Sequence, residues 1–574
     1  AEGICMSWWL TDVARAKAER TAIAQLSERD GWLSGISWRL GDDLHLIVDF
    51  DVQHGAETFG LSMTYPSTFP DTPPMVQPRD ERRLSWHQYG PGGELCLEFR
   101  PDNWAPSITG AMMVESAHRL LSGERPGENE PGIVRSAHQA SIGRETRGEF
   151  TRFILNDSAA TVLAALPVDV PTAITVWDRL AKPTWVASLM SVGEGGILWA
   201  QNAPQPSHSS VANGFVIRTT RNVDRFRLSP KDFAEVMPVE FPDLLAKLPK
   251  NPFDGFVLLG NENHWVALNL YPYEGKQSVF GYKIIVAPSV SGRLPAGYAS
   301  LAQKRIAIVS CGSVGSKIAS TLARSGVSNF TLVDDDVFFQ ANLVRNDLDA
   351  QAIGQHKVDA LAARLQNLVA NADISVRRIA LGQQESAGST ESVMEELVQA
   401  DLLVDATADP RAFNLVAAIA RRHSKPMVWC QVFAGGIGGI IARVRPGFDP
   451  IPTEARSQIR AWCDNHNVPW IAATETDYGI ERDNAPPLIA DDADVSVIAN
   501  HASRFILDIL TREQSVFPCS AYAIGLVAEW IFRAPFDTWP IDLRQEGDWG
   551  GTQELASSEE LKELLASLFP KVNA

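Results

Sequence analysis

The sequence predicts an α/β multidomain protein made of three successive parts. Short alternating strands and an apolar helix in the first part predict an α+β domain, and recurring strand-like segments in the second predict a β-rich domain. In the third part short apolar strands alternate with helical segments, which predicts a doubly wound parallel sheet. We place the three domains at residues 1–145, 146–300 and 301–574.

The first domain is expected to contain one long helix, two alternating strands and a later apolar helix. These elements are predicted at residues 10–26, 45–52, 58–66 and 107–121. The sequence FPDTPP (69–74) predicts a turn after the strands, and the segment 122–133, rich in Gly, Pro and Glu, indicates a boundary or an exposed loop.

The two later domains differ in their pattern. Strands of the middle domain are predicted at 215–220, 255–260 and 264–273, without a recognisable set of catalytic residues. Strands of the third domain, which runs to about residue 535, are predicted at 305–310, 330–336, 373–379, 400–406 and 425–432. The tail at 554–569 predicts one amphipathic helix.

Composition excludes several classes of function. The net charge of −18 argues against a nucleic-acid surface, which needs a basic face. No apolar run approaches the roughly 20 residues that cross a bilayer, and the N-terminal residues lack the order of a signal peptide. The six cysteines form no C-x-x-C pair, which argues against a structural zinc site. We therefore expect a cytoplasmic protein with reduced cysteines that binds neither membrane nor nucleic acid.

A glycine-rich segment at 310–326 lies directly between a predicted strand and a predicted helix. Such a loop can direct backbone N–H groups and a helix N-terminus at phosphates. Ser310 stands where the first glycine of G-x-G-x-x-G would be, whereas Gly312 and Gly315 remain. This motif alone would fit a dinucleotide dehydrogenase equally well.

Acidic and basic side chains follow the later strands in an ordered set. Because the carboxyl ends of parallel strands converge on one crevice, these residues are expected to meet there. The acids suit a ribose and Mg²⁺, and the cations suit a triphosphate, which a dehydrogenase does not need. The set comprises Asp334 and Asp336, then Asn342, Arg345 and Lys357, and finally Asp405 and Asp409.

The order G-x-x-G, D-x-D, N-x-x-R, K and D resembles the adenylation domain of ubiquitin-activating enzymes and their bacterial ThiF/MoeB relatives, over roughly residues 303–535. The resemblance implies that a C-terminal glycine carboxylate attacks ATP, giving an acyl-adenylate and pyrophosphate. It implies that Asp334 holds the ribose and that Asp409 or Asp405 holds Mg²⁺; the family reads D-x-T-D where this chain has D-A-T-A-D. The phosphate contacts would come from Asn342, Arg345 and Lys357.

A second resemblance covers about residues 30–122. The PP turn, a glycine loop with a histidine (WHQYGPGG, 86–93), L-C-L and W-A-P-S before a helix resemble the core of a ubiquitin-conjugating enzyme. The resemblance implies that Cys96 is a thioester nucleophile. The family's His-Pro-Asn reads His87-Gln88-Tyr89 here, so the oxyanion asparagine is missing. His87, Tyr89 or a backbone N–H is the candidate substitute.

Together the two halves resemble the fused ligases of bacterial cyclic-oligonucleotide antiphage (CBASS) operons. That resemblance implies that the C-terminus of a cGAS/DncV-like nucleotidyltransferase (CD-NTase) is adenylated, carried as a thioester and joined to acceptor protein lysines in antiviral defence. It also implies a homodimer, with Arg293 a candidate to complete the partner's ATP site. A scaffold with degenerate sites and a sulfur-carrier activator remain alternative functions.

The cysteine of the activating half is not fixed by the sequence. Cys463 is the cysteine of the segment 450–492, which in the family crosses over the nucleotide site, and it falls in an amphipathic helix. Cys519 follows the late helix at 490–510 and begins an apolar strand. Ala485 stands where relatives often carry the cysteine, so Cys463, Cys519 and a replaced residue at 485 all stay open.

Overall fold

The protein is described by a computed structural model that divides the chain into two compact units, residues 1–147 and 148–574. The structure describes residues 7–80, 84–85, 88–89, 92–125, 143, 146–221, 223, 226, 233, 235, 239, 242–246, 253–261, 264–287, 293–468, 479–482, 485–550 and 557–569. Within these residues, no helix combines the length and the apolar character needed to span a membrane.

The first unit packs helices against a four-stranded antiparallel sheet with the order β1-β2-β3-β4, beside a short β5-β6 hairpin. Its helices are α1 (Trp8–Thr11), α2 (Val13–Arg29) and α3 (Gly110–Gly123). Its strands are β1 (Leu33–Leu40), β2 (Leu46–His54), β3 (Glu57–Tyr65), β4 (Met75–Pro78), β5 (Gln88–Tyr89) and β6 (Glu94–Leu95).

A buried carboxylate joins the helices of this unit to its sheet. Glu19 of α2 accepts hydrogen bonds from the Tyr65 hydroxyl at 3.0 Å and from the Gly110 N–H at 2.6 Å. Gly110 leaves no room for a side chain, because an added Cβ would lie 2.0 Å from the Tyr65 hydroxyl. This network therefore fixes the point where α3 begins, after the loop that carries Cys96.

The middle of the chain forms a closed barrel. Strand β8 pairs with both β11 and β9, which closes the ring β8-β9-β7-β14-β13-β12-β11, and β10 pairs with β9. The strands are β7 (Thr151–Asn156), β8 (Thr172–Ala181), β9 (Thr184–Val192), β10 (Trp199–Ala200), β11 (Ser210–Arg218), β12 (Gly255–Gly260), β13 (Trp265–Tyr273) and β14 (Lys276–Ala287). The helices are α4 (Asp157–Ala164) and α5 (Pro242–Leu245).

The last part of the chain alternates strands with helices. The strands are β15 (Arg305–Val309), β16 (Asn329–Val333), β17 (Asp373–Arg377), β18 (Leu402–Asp405), β19 (Met427–Val432), β20 (Gly438–Val444), β21 (Gly479–Arg482), β22 (Ala485–Ile489), β23 (Ala521–Gly525) and β24 (Thr538–Ile541). The helices are α6 (Ser313–Arg324), α7 (Lys357–Leu368), α8 (Ala387–Leu397), α9 (Pro410–Arg422), α10 (Pro452–Asn465), α11 (Asp492–Thr511) and α12 (Ser558–Leu568).

The main sheet of this part is mixed rather than wholly parallel, which corrects the expectation from the sequence. Its order is β17-β16-β15-β18-β19-β20-β23-β24, and only the five strands from β17 to β19 run parallel. The reversal begins between β19 and β20, where a short turn at 433–437 with positive φ at Gly435 and Gly436 replaces a crossover helix. Parallel pairing needs a crossover of a dozen residues or more, so this short connection forces antiparallel pairing.

Candidate functional site

The glycine-rich loop lies between β15 and the N-terminus of α6. Ser310 has φ +77°, the left-handed backbone conformation that a glycine adopts without strain. Gly315 packs against this loop so closely that an added Cβ would lie 1.9 Å from the Ser310 carbonyl oxygen. The sequence thus keeps the close approach of helix and loop although serine replaces the first glycine.

Asp334 lies beside this loop, immediately after β16. Its carboxylate accepts hydrogen bonds from the Cys311 N–H at 2.6 Å and the Asp336 N–H at 2.8 Å. The side chain is buried, and this burial raises the pKa of Asp334 although both N–H groups lower it. The two bonds hold one carboxylate at the edge of the loop.

A cation lies on the same side of the sheet. Lys357 is the first residue of α7, is 8% exposed and forms an ion pair with the Asp336 carboxylate. The backbone N–H of Lys357 also donates to the Asp336 carbonyl at 2.9 Å. These contacts hold the ammonium group of Lys357 close to the glycine-rich loop between β15 and α6.

The third set of side chains follows β18. Asp405 accepts the N–H and the hydroxyl of Thr407 at 3.0 and 2.6 Å, and burial raises the pKa of Asp405. Asp409 accepts the N–H of Arg411 at 2.7 Å, which caps α9, and pairs with the guanidinium of Arg411 at 2.9 Å. The hydrogen bond from the Arg411 side chain is the main reason that the pKa of Asp409 is lowered.

These elements enclose an open cavity of about 390 Å³ at the carboxyl ends of β15, β16 and β18. Five of the predicted nucleotide-binding residues line this cavity, namely Gly312, Asp334, Asp336, Lys357 and Asp409. Ser310 of the glycine-rich loop lines it as well. A helix N-terminus with backbone N–H groups and a lysine favours phosphate, and the carboxylates can accept hydroxyl groups. The cavity is therefore suited to a nucleotide.

Asn342 and Arg345 do not occur among the described residues that line this cavity. Asn342 lies in a short 3-10 helix (Gln340–Val344), where its side-chain oxygen accepts the Phe339 N–H at 2.8 Å. Arg345 donates to the Ala490 carbonyl at 3.1 Å, just before α11. In this conformation Arg345 ties the loop after β16 to the start of the late helix.

Arg456 is a neighbour of the site that the sequence did not indicate. Its guanidinium lies 4.2 Å from the centre of the Phe413 ring, on α10 against α9. Burial lowers the pKa of Arg456, and the charges of Asp405 and Asp409 oppose that effect. Nothing local in the sequence of α10 signals this position, which depends on how two helices pack.

In the first unit, Cys96 follows β6 and is half-buried. Its sulfur accepts a hydrogen bond from Nη1 of Arg100 at 3.0 Å. Burial is the main cause that raises the pKa of Cys96, and the charge of Arg100 opposes it. His87 lies outside the described residues, so its predicted role beside Cys96 stays a prediction.

The cysteines of the last part lie in different environments. Cys463 of α10 is fully buried, and burial raises its pKa to about 12. Cys519 is half-exposed before β23 and donates to Asp542 at 3.4 Å. Ala485 begins β22. The choice among these positions for a thioester carrier stays a prediction.

Comparison with known proteins identifies the last part of the chain. Residues 290–479 match the model of the ThiF family. This segment is similar to ThiF-type domains. The resemblance to ThiF/MoeB adenylation domains, first drawn from the order of motifs, is thereby confirmed.

Individual relatives match parts of the chain. The protein y4oA of Sinorhizobium fredii is 28% identical over 239 residues, which are 38% of this chain and 37% of that protein. The ATP-dependent ubiquitin transferase-like protein Cap2 of Escherichia coli is 32% identical over 130 residues, 22% of this chain and 20% of that protein. The chain thus matches only between about a fifth and somewhat over a third of the length of these relatives. A solved structure of E. coli MccB with ATP is 17% identical to the chain at a TM-score of 0.33, over 44% of this chain and 69% of that chain.

Proposed function

We propose that this chain is an ATP-dependent protein ligase that adenylates the C-terminal carboxylate of a partner protein, carries it as a cysteine thioester and conjugates it to an acceptor amine. The observation that carries this proposal is the cavity of about 390 Å³ that joins the α6 N-terminus to Lys357 and Asp334. A carboxylate is a poor electrophile, and such a cavity can supply the phosphate-binding groups that activation by ATP requires.

The residues around the cavity fit ATP. The loop N–H groups at Gly312 and the ammonium group of Lys357 would bind phosphates, and the carboxylate of Asp334 would accept ribose hydroxyls. In the reaction, a carboxylate oxygen of the partner's C-terminus bonds to the α-phosphorus while the bond to pyrophosphate breaks. The similarity to relatives named as adenylyltransferases and activating enzymes supports this reaction class.

Mg²⁺ is the metal that this reaction class implies. Within the described part of the chain no group of three or more His, Cys, Asp or Glu side chains is assembled for a metal. Mg²⁺ in nucleotide sites is commonly held by only one or two carboxylates together with substrate phosphates. Of the two candidates, Asp409 lines the cavity and fits this role, whereas Asp405 is 4% exposed and is not among the described residues of the lining. Bound there, the ion would neutralise charge on the phosphates.

The later steps follow from the resemblance of the first unit to ubiquitin-conjugating enzymes. Cys96 would be the last carrier, and its thioester would be attacked by an acceptor lysine. In the activating half the carrier would be Cys463 or Cys519. The third possibility is a cysteine at position 485, which alanine replaces in this chain. The similarity to Cap2, which is named as an ATP-dependent ubiquitin transferase-like protein, supports a transfer reaction of the ubiquitin type. The substrate (a CD-NTase C-terminus), the setting (antiviral defence) and the working form (a cytoplasmic homodimer) are proposed from the resemblance to the fused CBASS ligases.

The test is exchange of radiolabelled pyrophosphate into ATP in the presence of a peptide copied from the C-terminus of the candidate partner. We expect exchange with the free carboxylate and none with the same peptide carrying a C-terminal amide. Equal exchange with both peptides, or none with the partner's full-length chain, would contradict adenylation of a C-terminus. A thiol-sensitive adduct on a non-reducing gel then tests the thioester step.

A sulfur-carrier activator is the second candidate, and one similarity favours it. The adenylyltransferase and sulfurtransferase MOCS3 of Arabidopsis thaliana is 29% identical over 133 residues. Both functions share adenylation, but only the ligase needs Cys96. A Cys96→Ala variant that loses the covalent conjugate but retains pyrophosphate exchange would distinguish the ligase from a sulfur-carrier activator. An intact chain that catalyses no pyrophosphate exchange would instead favour a scaffold.

A further inference from the structure

The surroundings of Cys96 contain a cation that the motif analysis did not single out. Nη1 of Arg100 lies 3.0 Å from the sulfur of Cys96, within hydrogen-bonding distance for a sulfur acceptor. The two residues are only four positions apart, in the loop that joins β6 to α3. The contact therefore belongs to the loop itself and does not depend on any other unit of the protein.

The loop around Arg100 is held by its own hydrogen bonds. The Arg100 N–H donates to the Asn103 side-chain oxygen at 2.8 Å, and the Asn103 amide donates to the Glu98 carbonyl at 2.7 Å. The Trp104 indole donates to the Pro70 carbonyl at 2.7 Å, which anchors the end of the loop. The backbone that carries the guanidinium is thus fixed relative to the cysteine.

The guanidinium of Arg100 lies closer to the Cys96 sulfur than to the carboxylate of Asp102. Its Nε is buried and has no hydrogen-bond partner among the residues that the structure describes, and it lies 3.9 Å from the Asp102 carboxylate, too far for a hydrogen bond. The side chain of Arg100 is 19% exposed, which reduces the screening of its charge by water. Glu94 and Asp102 are the charges that oppose it at Cys96.

We propose that Arg100 stabilises the negative charge on the Cys96 sulfur during acyl transfer, and this rests on the proposed function. The Cys96 thiol first loses its proton to solvent. The thiolate then bonds to the acyl carbon as the bond to the donor sulfur, or to the oxygen of AMP, breaks, and the leaving group takes the electron pair. Arg100 donates its hydrogen bond to the sulfur and takes no part in the proton transfer.

The arginine is suited to this role by its shape. Its planar fork presents several N–H donors in a fixed arrangement, so one of them can stay on the sulfur without reorientation of the chain. A lysine at position 100 would keep the charge but not the fork. Partial retention in Arg100→Lys is thus a signature of charge stabilisation that a purely structural role would not produce.

The experiment measures alkylation of Cys96 by iodoacetamide in the full chain, read out on the Cys96 peptide by mass spectrometry from pH 6.5 to 10. In Arg100→Met we expect the midpoint to rise by about one pH unit, which makes alkylation near pH 7.5 about tenfold slower. Arg100→Lys should fall between wild type and Arg100→Met. Asp102→Asn should move the midpoint in the opposite direction, because it removes an opposing charge.

The matched control is Arg119→Met, which removes an arginine of α3 that pairs with Glu98 and is 55% exposed. It should leave the alkylation profile of Cys96 unchanged. Profiles of Arg100→Met and wild type that coincide, with equal thermal unfolding, would overturn the proposal. If the profile shifts as expected but Cys96 never carries an acyl group, the pairing with Arg100 stands and the proposed ligase function fails.

Discussion

Lys357 and Asp336 form an ion pair at the edge of the cavity, and the lysine is the far more buried of the two. The Lys357 side chain is 10% exposed, whereas that of Asp336 is 55% exposed. An unpaired buried ammonium would be costly, so the ion pair with the carboxylate holds the lysine side chain in place at the cavity. Asp336 thus orients the cation in this conformation, and its predicted contact with the nucleotide stays a prediction.

Lys357→Ala should weaken adenylation because it removes the cation that lines the cavity. Loss of a charge-assisted hydrogen bond costs about 1.5–3 kcal/mol, or roughly a ten- to hundredfold loss in kcat/KM for ATP. Pyrophosphate exchange measures this loss. The control is Lys304→Ala, which removes a half-exposed lysine paired with Asp401 just before β15. Comparable losses in the two variants would contradict a specific role for Lys357.

Arg345→Ala tests whether the arginine reaches a phosphate when ATP binds. We expect the KM for ATP in pyrophosphate exchange to rise about tenfold or more, since a charge-assisted contact is lost. We also expect the free energy of unfolding to fall by about 1 kcal/mol, because the bond to the Ala490 carbonyl disappears. Lower stability with a wild-type KM would show that Arg345 only ties the loop to α11.

Cys96→Ala should keep pyrophosphate exchange and lose the final conjugate. The cavity and Cys96 belong to different compact units, so adenylation does not need the cysteine. Exchange and conjugate formation are assayed in parallel on the same preparation. A conjugate formed at the wild-type rate would mean that Cys96 is not the carrier.

Cys463 should resist alkylation in the folded chain, and Cys519 should react. Cys463 is fully buried and burial raises its pKa to about 12, so the thiol stays protonated from pH 7 to 9. Cys519 is half-exposed. Peptide-resolved alkylation at pH 8, with and without denaturant, measures the difference. Rapid labelling of Cys463 in the native chain would mean that α10 opens, as a carrier role at that position requires.

Asp405→Asn should stabilise the fold while it lowers exchange. Burial raises the pKa of Asp405, so its ionised form is less favourable in the folded state than in the unfolded state. Such a carboxylate lowers stability increasingly as pH rises above the usual aspartate pKa, and the neutral amide, which keeps an oxygen for Thr407, avoids this cost. Denaturant unfolding at pH 7.5 and pH 4 should show a larger gain at pH 7.5. A loss of stability at pH 7.5 would contradict this account.

Much of the last sheet could be predicted because its strands are short apolar runs followed by glycine or acidic residues. The run RIAIV corresponds to β15, and Asp334 lies at the end of β16 because the acids that follow Val333 leave the buried strand. The sequence also placed Lys357 near these acids. The local sequence pattern was enough to predict a site residue wherever that residue lies at the end of a strand.

Other features depend on contacts between distant segments and could not be predicted. The antiparallel strands β20, β23 and β24 and the closure of the middle barrel follow from pairings that no single segment encodes. Arg456 reaches the site only because α10 packs on α9. Arg100 is near Cys96 in sequence, but its direction is set by the bonds of its loop, which periodicity does not show.

The positive φ of Ser310 bears on how such chains can be recognised in genomes. A serine can occupy the left-handed position when its own side chain bonds locally, and here its hydroxyl lies 3.3 Å from Asp334 and 3.4 Å from the Gly312 N–H. A search pattern that demands glycine at this place would pass over a loop whose shape is intact. The sterically enforced position is instead Gly315, where a Cβ has no room. Searches that require the glycine at the position of Gly315 and the acid at the position of Asp334 should recover chains that carry serine at the position of Ser310.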